Sequence, residues 1–290
     1  MKRLAFCFGV LFPGLSLAQP GSEVWMLDLV DDYGKVRLEN PVNISHNTGY
    51  DNQPHFLPNS DGLLYASQVD GGAIDIRRYD FATGETDNLT NSAGGKFSPT
   101  VMPDGAHFSS IHLEDDGTQL LKKFPLNGSY GPEVIIPDVV IGYHCWVNDT
   151  TLMAFVLGEP VTLQRCYTTT GTCEILDEQI GRGLKIFPLN GALTYVSKKD
   201  SIWTVNLMDP LGEEGRSIGL TMNGTEDFDW RGNGSLFKTE GNLIFRWRPG
   251  EDPTWEQIAD LRDLGIDGAL TRITISPDGT KVAVVAAEEN

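Results

Sequence analysis

The chain has 290 residues, 40% apolar and 21% charged, with 32 glycines and 16 prolines. That balance can fill a core and is rich in turns, which excludes a disordered or collagen-like chain. A formal charge of -18 at pH 7 argues against nucleic acid as a partner, because phosphate binding needs clustered Lys and Arg to release counterions; a basic protein, a cation or a neutral glycan fits better.

Residues 1–18 read as a signal peptide. Lys2 and Arg3 precede an apolar stretch from Leu4 to Leu17, and Ser16-Leu17-Ala18 offers small residues at alternate positions for cleavage before Gln19. Pro13 and Gly14 break the stretch, which is too short for a permanent anchor. The expectation is a periplasmic or secreted protein with no integral membrane segment after cleavage, and a single domain over residues 19–290.

The next signal is repetition. Asn43-Ile44-Ser45, Gly49 and Pro54 recur 45 positions later as Asn88-Leu89-Thr90, Gly94 and Pro99. Turn pairs keep the same beat: Asp61-Gly62, Asp104-Gly105, Asn148-Asp149, Asn190-Gly191, Asn233-Gly234 and Asp278-Gly279 each separate two β-prone runs. Asn or Asp before Gly suits a tight hairpin because both tolerate the left-handed backbone. A period of about 40–45 residues holding four short strands marks a propeller blade. Six turns predict an all-β, six-bladed β-propeller with four-stranded antiparallel blades near 50–90, 95–136, 140–176, 183–220 and 226–261.

The sixth blade, from about 270 to 287, is two strands short. Val24-Trp25-Met26-Leu27-Asp28-Leu29 reads like Ile202-Trp203-Thr204-Val205-Asn206-Leu207, the third-strand position of the fourth blade. Residues 22–45 are therefore expected to complete the last blade, so that strands from both termini close the ring and leave no open seam. Trp146, Phe187 and Trp230 fall at equivalent innermost positions and are read as packing between blades. Cys166 and Cys173 flank a Thr/Gly turn; in an exported protein the pair is expected to be a disulfide, with metal binding as the rival, while Cys145 reads as a buried free thiol.

The segments Asn88-Leu89-Thr90, Pro99, Met102-Pro103-Asp104-Gly105 and Ile275-Ser276-Pro277-Asp278-Gly279 resemble the repeat of the TolB-type (WD40-like) β-propellers, in which a Ser-Pro-Asp-Gly turn follows the first strand. The resemblance runs nearly end to end, sharp in the first, second and sixth blades and faint between, where Val147-Asn148-Asp149 and Arg231-Gly232-Asn233 stand at the turn. It implies a periplasmic propeller without the separate α/β domain that precedes the propeller in TolB itself. It transfers no site residues, since the repeat residues are structural.

Motifs for chemistry are sparse. The sequence carries no H-E-x-x-H helix or phosphate loop, and Asp70-Gly71-Gly72 and Glu114-Asp115-Asp116-Gly117 lack the full ligand series of a calcium loop. No metal or cofactor is expected, and no catalytic residue is assigned. Loops entering the innermost strands converge at one mouth of the central channel, which places candidate ligand- or partner-binding residues at Asp51, Asn52, Lys96, Tyr143, His144, Arg182, Glu226, Asp227 and Arg272. The reading is a non-catalytic module that binds a cell-envelope protein or polar ligand. The alternatives are a channel-centred carbohydrate lyase or hydrolase, which fails if His144 stands without a second His or a paired carboxylate, and a small-ligand sensor.

Overall fold

The structure, a computed structural model, describes residues 21–129, 131–212, 214–221 and 224–288; residues 1–18, read from sequence as a signal peptide, lie outside the described residues. Six four-stranded antiparallel sheets surround an axis. The first blade runs outward through Asp51–Phe56, Gly62–Gln68, Ile74–Asp80 and Thr86–Asn88. The innermost strands of the next four blades are Gly95–Val101, Ile141–Asn148, Ile180–Ile186 and Phe228–Trp230.

The sixth blade joins both ends of the described chain. Leu270–Ile275 lies innermost, followed by Lys281–Ala287, then Ser22–Asp32 and Lys35–Asn43. Ser22 pairs with Ala287 and Asp28 with Lys281 in an unbroken antiparallel register. The Ser22 N–H donates to Gly49 O at 2.8 Å, so the closing strand is also fastened to the approach to blade one. Closure covers the apolar faces that the end blades of a linear row would expose.

The core is divided among six seams. One buried apolar cluster lies between each pair of neighbouring blades: Val101 and Phe108 against Ile76 in the first seam, Ile111 and Leu121 against Trp146 and Leu152 in the second, and Leu27 and Val282 against Phe237 and Ile244 where the ring closes onto blade five. Alternation along each strand produces this, since both faces of a central blade meet a neighbour. Each fully buried large apolar side chain contributes on the order of 1.5–3 kcal/mol.

Two of the aromatic residues singled out from sequence show how the seams are keyed. Trp146 Nε1 donates to Ser109 Oγ at 2.9 Å, and Trp230 Nε1 donates to Thr194 Oγ1 at 2.8 Å. Each inner-strand indole thus reaches a hydroxyl on the second strand of the preceding blade. Phe187 packs against Trp230 with ring centroids 4.4 Å apart.

The repeat turn has a common geometry. Gly105, Gly234 and Gly279 have φ of 65°, 84° and 71°, and each N–H donates to the carbonyl three residues back, on Met102, Arg231 and Ser276. In blade one Ser60, with φ 58°, takes that place and bonds to Leu57 O, while Gly62 already belongs to the second strand. The Asp61-Gly62 pair is therefore displaced by two residues from the position its dipeptide suggests.

Cys166 and Cys173 form a disulfide across the hairpin of blade three, with Cα atoms 4.1 Å apart. Cys145 is buried and free, and burial pushes its thiol up to about 12. The two acidic Gly-containing segments form turns between second and third strands. No helix among the described residues is long and apolar enough to cross a membrane.

Candidate functional site

The innermost strands all run in one direction, so their first residues rim an upper mouth and their last residues a lower one. Near the upper mouth most of them break register with the second strand. Irregularities fall between Asn52 and His55, Phe97 and Thr100, Ile141 and Tyr143, Ile180 and Leu184, and Leu270 and Arg272. Bulges of this kind re-aim side chains and leave a residue outside the ladder. Pro54 and Pro99 sit inside two of them, where the missing N–H costs no hydrogen bond. Just before them Gln53 and Ser98, again 45 positions apart, adopt φ of 58° and 51°, and Gln53 Oε1 accepts from the Ser98 N–H at 2.8 Å.

The bulges deliver a polar lattice to the axis. Asp227 of blade five accepts from Arg182 of blade four, Nε at 2.9 Å and Nη2 at 2.5 Å, and from Arg272 Nη1 of blade six at 2.6 Å. Arg272 also donates through Nη2 to Tyr143 Oη at 3.0 Å and through Nε to Asn52 Oδ1 at 3.3 Å. Its guanidinium lies 5.1 Å from the centre of the Tyr143 ring. Blade three stands opposite blade six, so this side chain spans the channel. Burial opposes its charge, but Asp227 and Tyr143 more than offset that and raise its pKa further.

Of the candidates read from sequence, Asn52, Tyr143, Arg182, Asp227 and Arg272 meet in this lattice. Glu226 stands at its shoulder, accepting from the Arg182 N–H at 2.8 Å and from Lys198 Nζ at 2.8 Å. His144 lies one step deeper, 7% exposed, with Nε2 2.6 Å from Ser109 Oγ and Nδ1 buried without a hydrogen-bond partner.

Asp51 and Lys96 do not join them. Asp51 is fully buried at the seam between blades six and one, where Asn47 donates to it at 2.5 Å. Desolvation raises its pKa to about 7, against the opposing hydrogen bonds of Ser67 and Asn47. Lys96 is also fully buried; its ammonium bonds the carbonyls of Ser92 and Gly94 and pairs with Asp75 at 3.1 Å. Both sit at strand starts, but their side chains point into seams, because alternation sends every second residue sideways.

Below the lattice the channel holds groups that the sequence reading did not assign. His55 lines it together with His144 and Cys145. Lys185 Nζ donates to Asp229 Oδ2 at 2.8 Å, and Thr274 Oγ1 donates to the same oxygen at 2.6 Å. These residues follow the mouth residues along their own strands: 182 leads to 185, 227 to 229 and 272 to 274. That spacing was the available signal. His144 therefore does not stand alone, since His55 lines the same stretch of channel. Burial, however, lowers His55 to about 4 and His144 to about 3. Among the described residues no group of three or more His, Cys, Asp or Glu is placed to hold a metal ion.

No protein-family model and no curated protein sequence matches the chain. Solved structures do. A protein assigned as TolB from Agrobacterium tumefaciens superposes with a TM-score of 0.72 at 12% identity, over 94% of this chain and 100% of that one. TolB from Acinetobacter baumannii gives 0.58 at 13%, over 92% of this chain and 65% of that one. A gluconolactonase from Xanthomonas campestris gives 0.62 at 9%, over 94% and 99%. At these identities the likeness is one of fold, and the fold is a TolB-like β-propeller.

Proposed function

We propose that the chain is an exported, non-catalytic binding module whose upper channel mouth receives a polar ligand or a segment of a cell-envelope protein. The observation that carries this reading is Arg272, held across the channel between Asp227, Asn52 and Tyr143. Its bonds to Asn52 and Tyr143 are to neutral oxygens, so an incoming carboxylate can replace them and balance the second of the two arginine charges that share Asp227. A guanidinium–carboxylate bond, ionised on both sides, is stronger than a guanidinium bond to a neutral oxygen, which gives such a partner a net reason to open the mouth. Periplasmic export, read from residues 1–18, supplies the compartment in which such partners would be met.

The catalytic alternative has in its favour the shared channel of His55 and His144, and gluconolactonases are among the similar folds. General acid–base work near neutral pH calls for a pKa near the working pH. Imidazoles held near 3 and 4 are weak bases and do not carry a transferable proton there, so binding is the better-supported reading. Pull-downs from envelope extracts test it with wild type beside Arg272→Ala and Tyr143→Ala. A partner recovered reproducibly by wild type and lost in Arg272→Ala is expected; recovery of none, or equal recovery by the variants, would refute the assignment.

A further inference from the structure

The lower half of the channel is built differently from the upper. Beneath the arginine lattice it widens into a funnel of about 600 Å³, within the range of small-molecule pockets. Its wall is apolar, formed by Val101, Met102, Trp146 and Ile186 together with Pro58 and Pro277. These two prolines belong to the repeat turns, which sequence assigns only a structural task. Its floor carries Lys185, Asp229, Thr274 and His55.

The floor is charge-balanced. Asp229 Oδ2 accepts from Lys185, from Thr274 Oγ1 and from the Ile275 N–H at 3.1 Å, while Oδ1 accepts from the Trp230 N–H at 2.9 Å. The carboxylate is saturated and has little capacity left for a ligand. Lys185 gives one of its three ammonium hydrogens to Asp229, and the others remain to be offered to an acceptor in the lumen. An anionic head would sit beside Asp229 as a like charge, and a cationic one beside Lys185. Either would be desolvated without a counter-charge of its own.

From this juxtaposition of apolar wall and neutral, donor-bearing floor, we infer that the lower funnel is a second binding site, for an uncharged, mainly apolar small molecule bearing a carbonyl or hydroxyl head. The head accepts from Lys185 and the body lies against Met102, Trp146 and Ile186. The site adjoins the upper mouth through His55 and Lys185, but Arg272, Tyr143, Arg182 and Asp227 are not among its lining residues.

Nile red, a neutral dye with a carbonyl, serves as the probe, titrated into the folded protein and followed by the rise and blue shift of its emission. Saturable binding of about one equivalent is expected. Ile186→Trp, which fills the funnel without touching the floor, should weaken it at least tenfold. Should Ile186→Trp fail to give a cooperative unfolding transition, Met102→Phe replaces it as the filling variant. Binding that never saturates, or that survives the filling variant at wild-type strength, overturns the inference. So does binding lost in Arg272→Met and kept in the filling variant, since that places the dye at the upper mouth.

Discussion

Lys238 offers the sharpest test of the physical reading. It lies on the second strand of blade five, Leu236–Glu240, and is 1% exposed. Its ammonium has no hydrogen-bond partner and rests 4.4 Å from the centre of the Trp255 ring and 5.7 Å from that of Phe245. Burial lowers its pKa from the usual 10.5 to about 8, with Glu240 pulling the other way. At roughly 1.4 kcal/mol per unit, charging this amine in the native state costs about 3 kcal/mol. Below pH 8 both native and unfolded chains carry the proton, so the native state bears the whole cost. Between 8 and 10.5 the unfolded chain holds more protons than the native one, and stability rises with pH. The two rings return about 1–2 kcal/mol through cation–π attraction. Lys238→Met, which keeps the shape and removes the charge, should therefore stabilise the fold by about 1–3 kcal/mol at pH 7, with the gain shrinking by pH 10. Urea denaturation at the two pH values measures it. A loss of stability at pH 7, or a gain that does not change with pH, would show that the amine is better solvated than this packing implies.

Three further perturbations address other parts of the ring. Asp51, raised to about 7 by burial, makes the native state hold its proton over a range where the unfolded chain has lost it, so stability falls as pH rises from about 4 to 7; Asp51→Asn should gain about 1–3 kcal/mol at pH 8 and little at pH 4, read from denaturation midpoints. Removing the disulfide by Cys166→Ala with Cys173→Ala should cost about 2 kcal/mol, the value for so short a loop, measured against wild type with and without reductant. Trp230→Phe strands the buried Thr194 hydroxyl that the indole now satisfies, at a cost of roughly 1–3 kcal/mol before any cavity is counted; an unchanged midpoint would mean that the seam is not keyed by that bond.

Much of the architecture follows from residues that repeat. Turn dipeptides and the 45-residue offset depend on backbone conformations that few residue types allow, and this is why the six blades and their closure by both ends were legible without coordinates. The outcome in blade one shows the limit. Asp61-Gly62 is a strong turn dipeptide, yet Ser60 takes the left-handed position, because the ladder to Ile74–Asp80 starts at Gly62 and the turn must precede it.

The mouth was legible in part for the same reason. Arg182, Asp227 and Arg272 are each 45 residues apart, so a sixfold ring directs the same position of successive blades toward the axis. Asp51 and Lys96 lie close to that register and yet face seams, because the local bulges decide which of two neighbouring side chains points inward, and bulges leave only faint marks in a sequence. The pairing of Arg272 with Tyr143 across the channel joins residues 129 positions apart, and the neutrality of His55 and His144 comes from the blades packed around them. Periodicity is a property of each strand and is written in its residues. Which charges meet, and how dry they are, is a property of six strands arriving together at one axis.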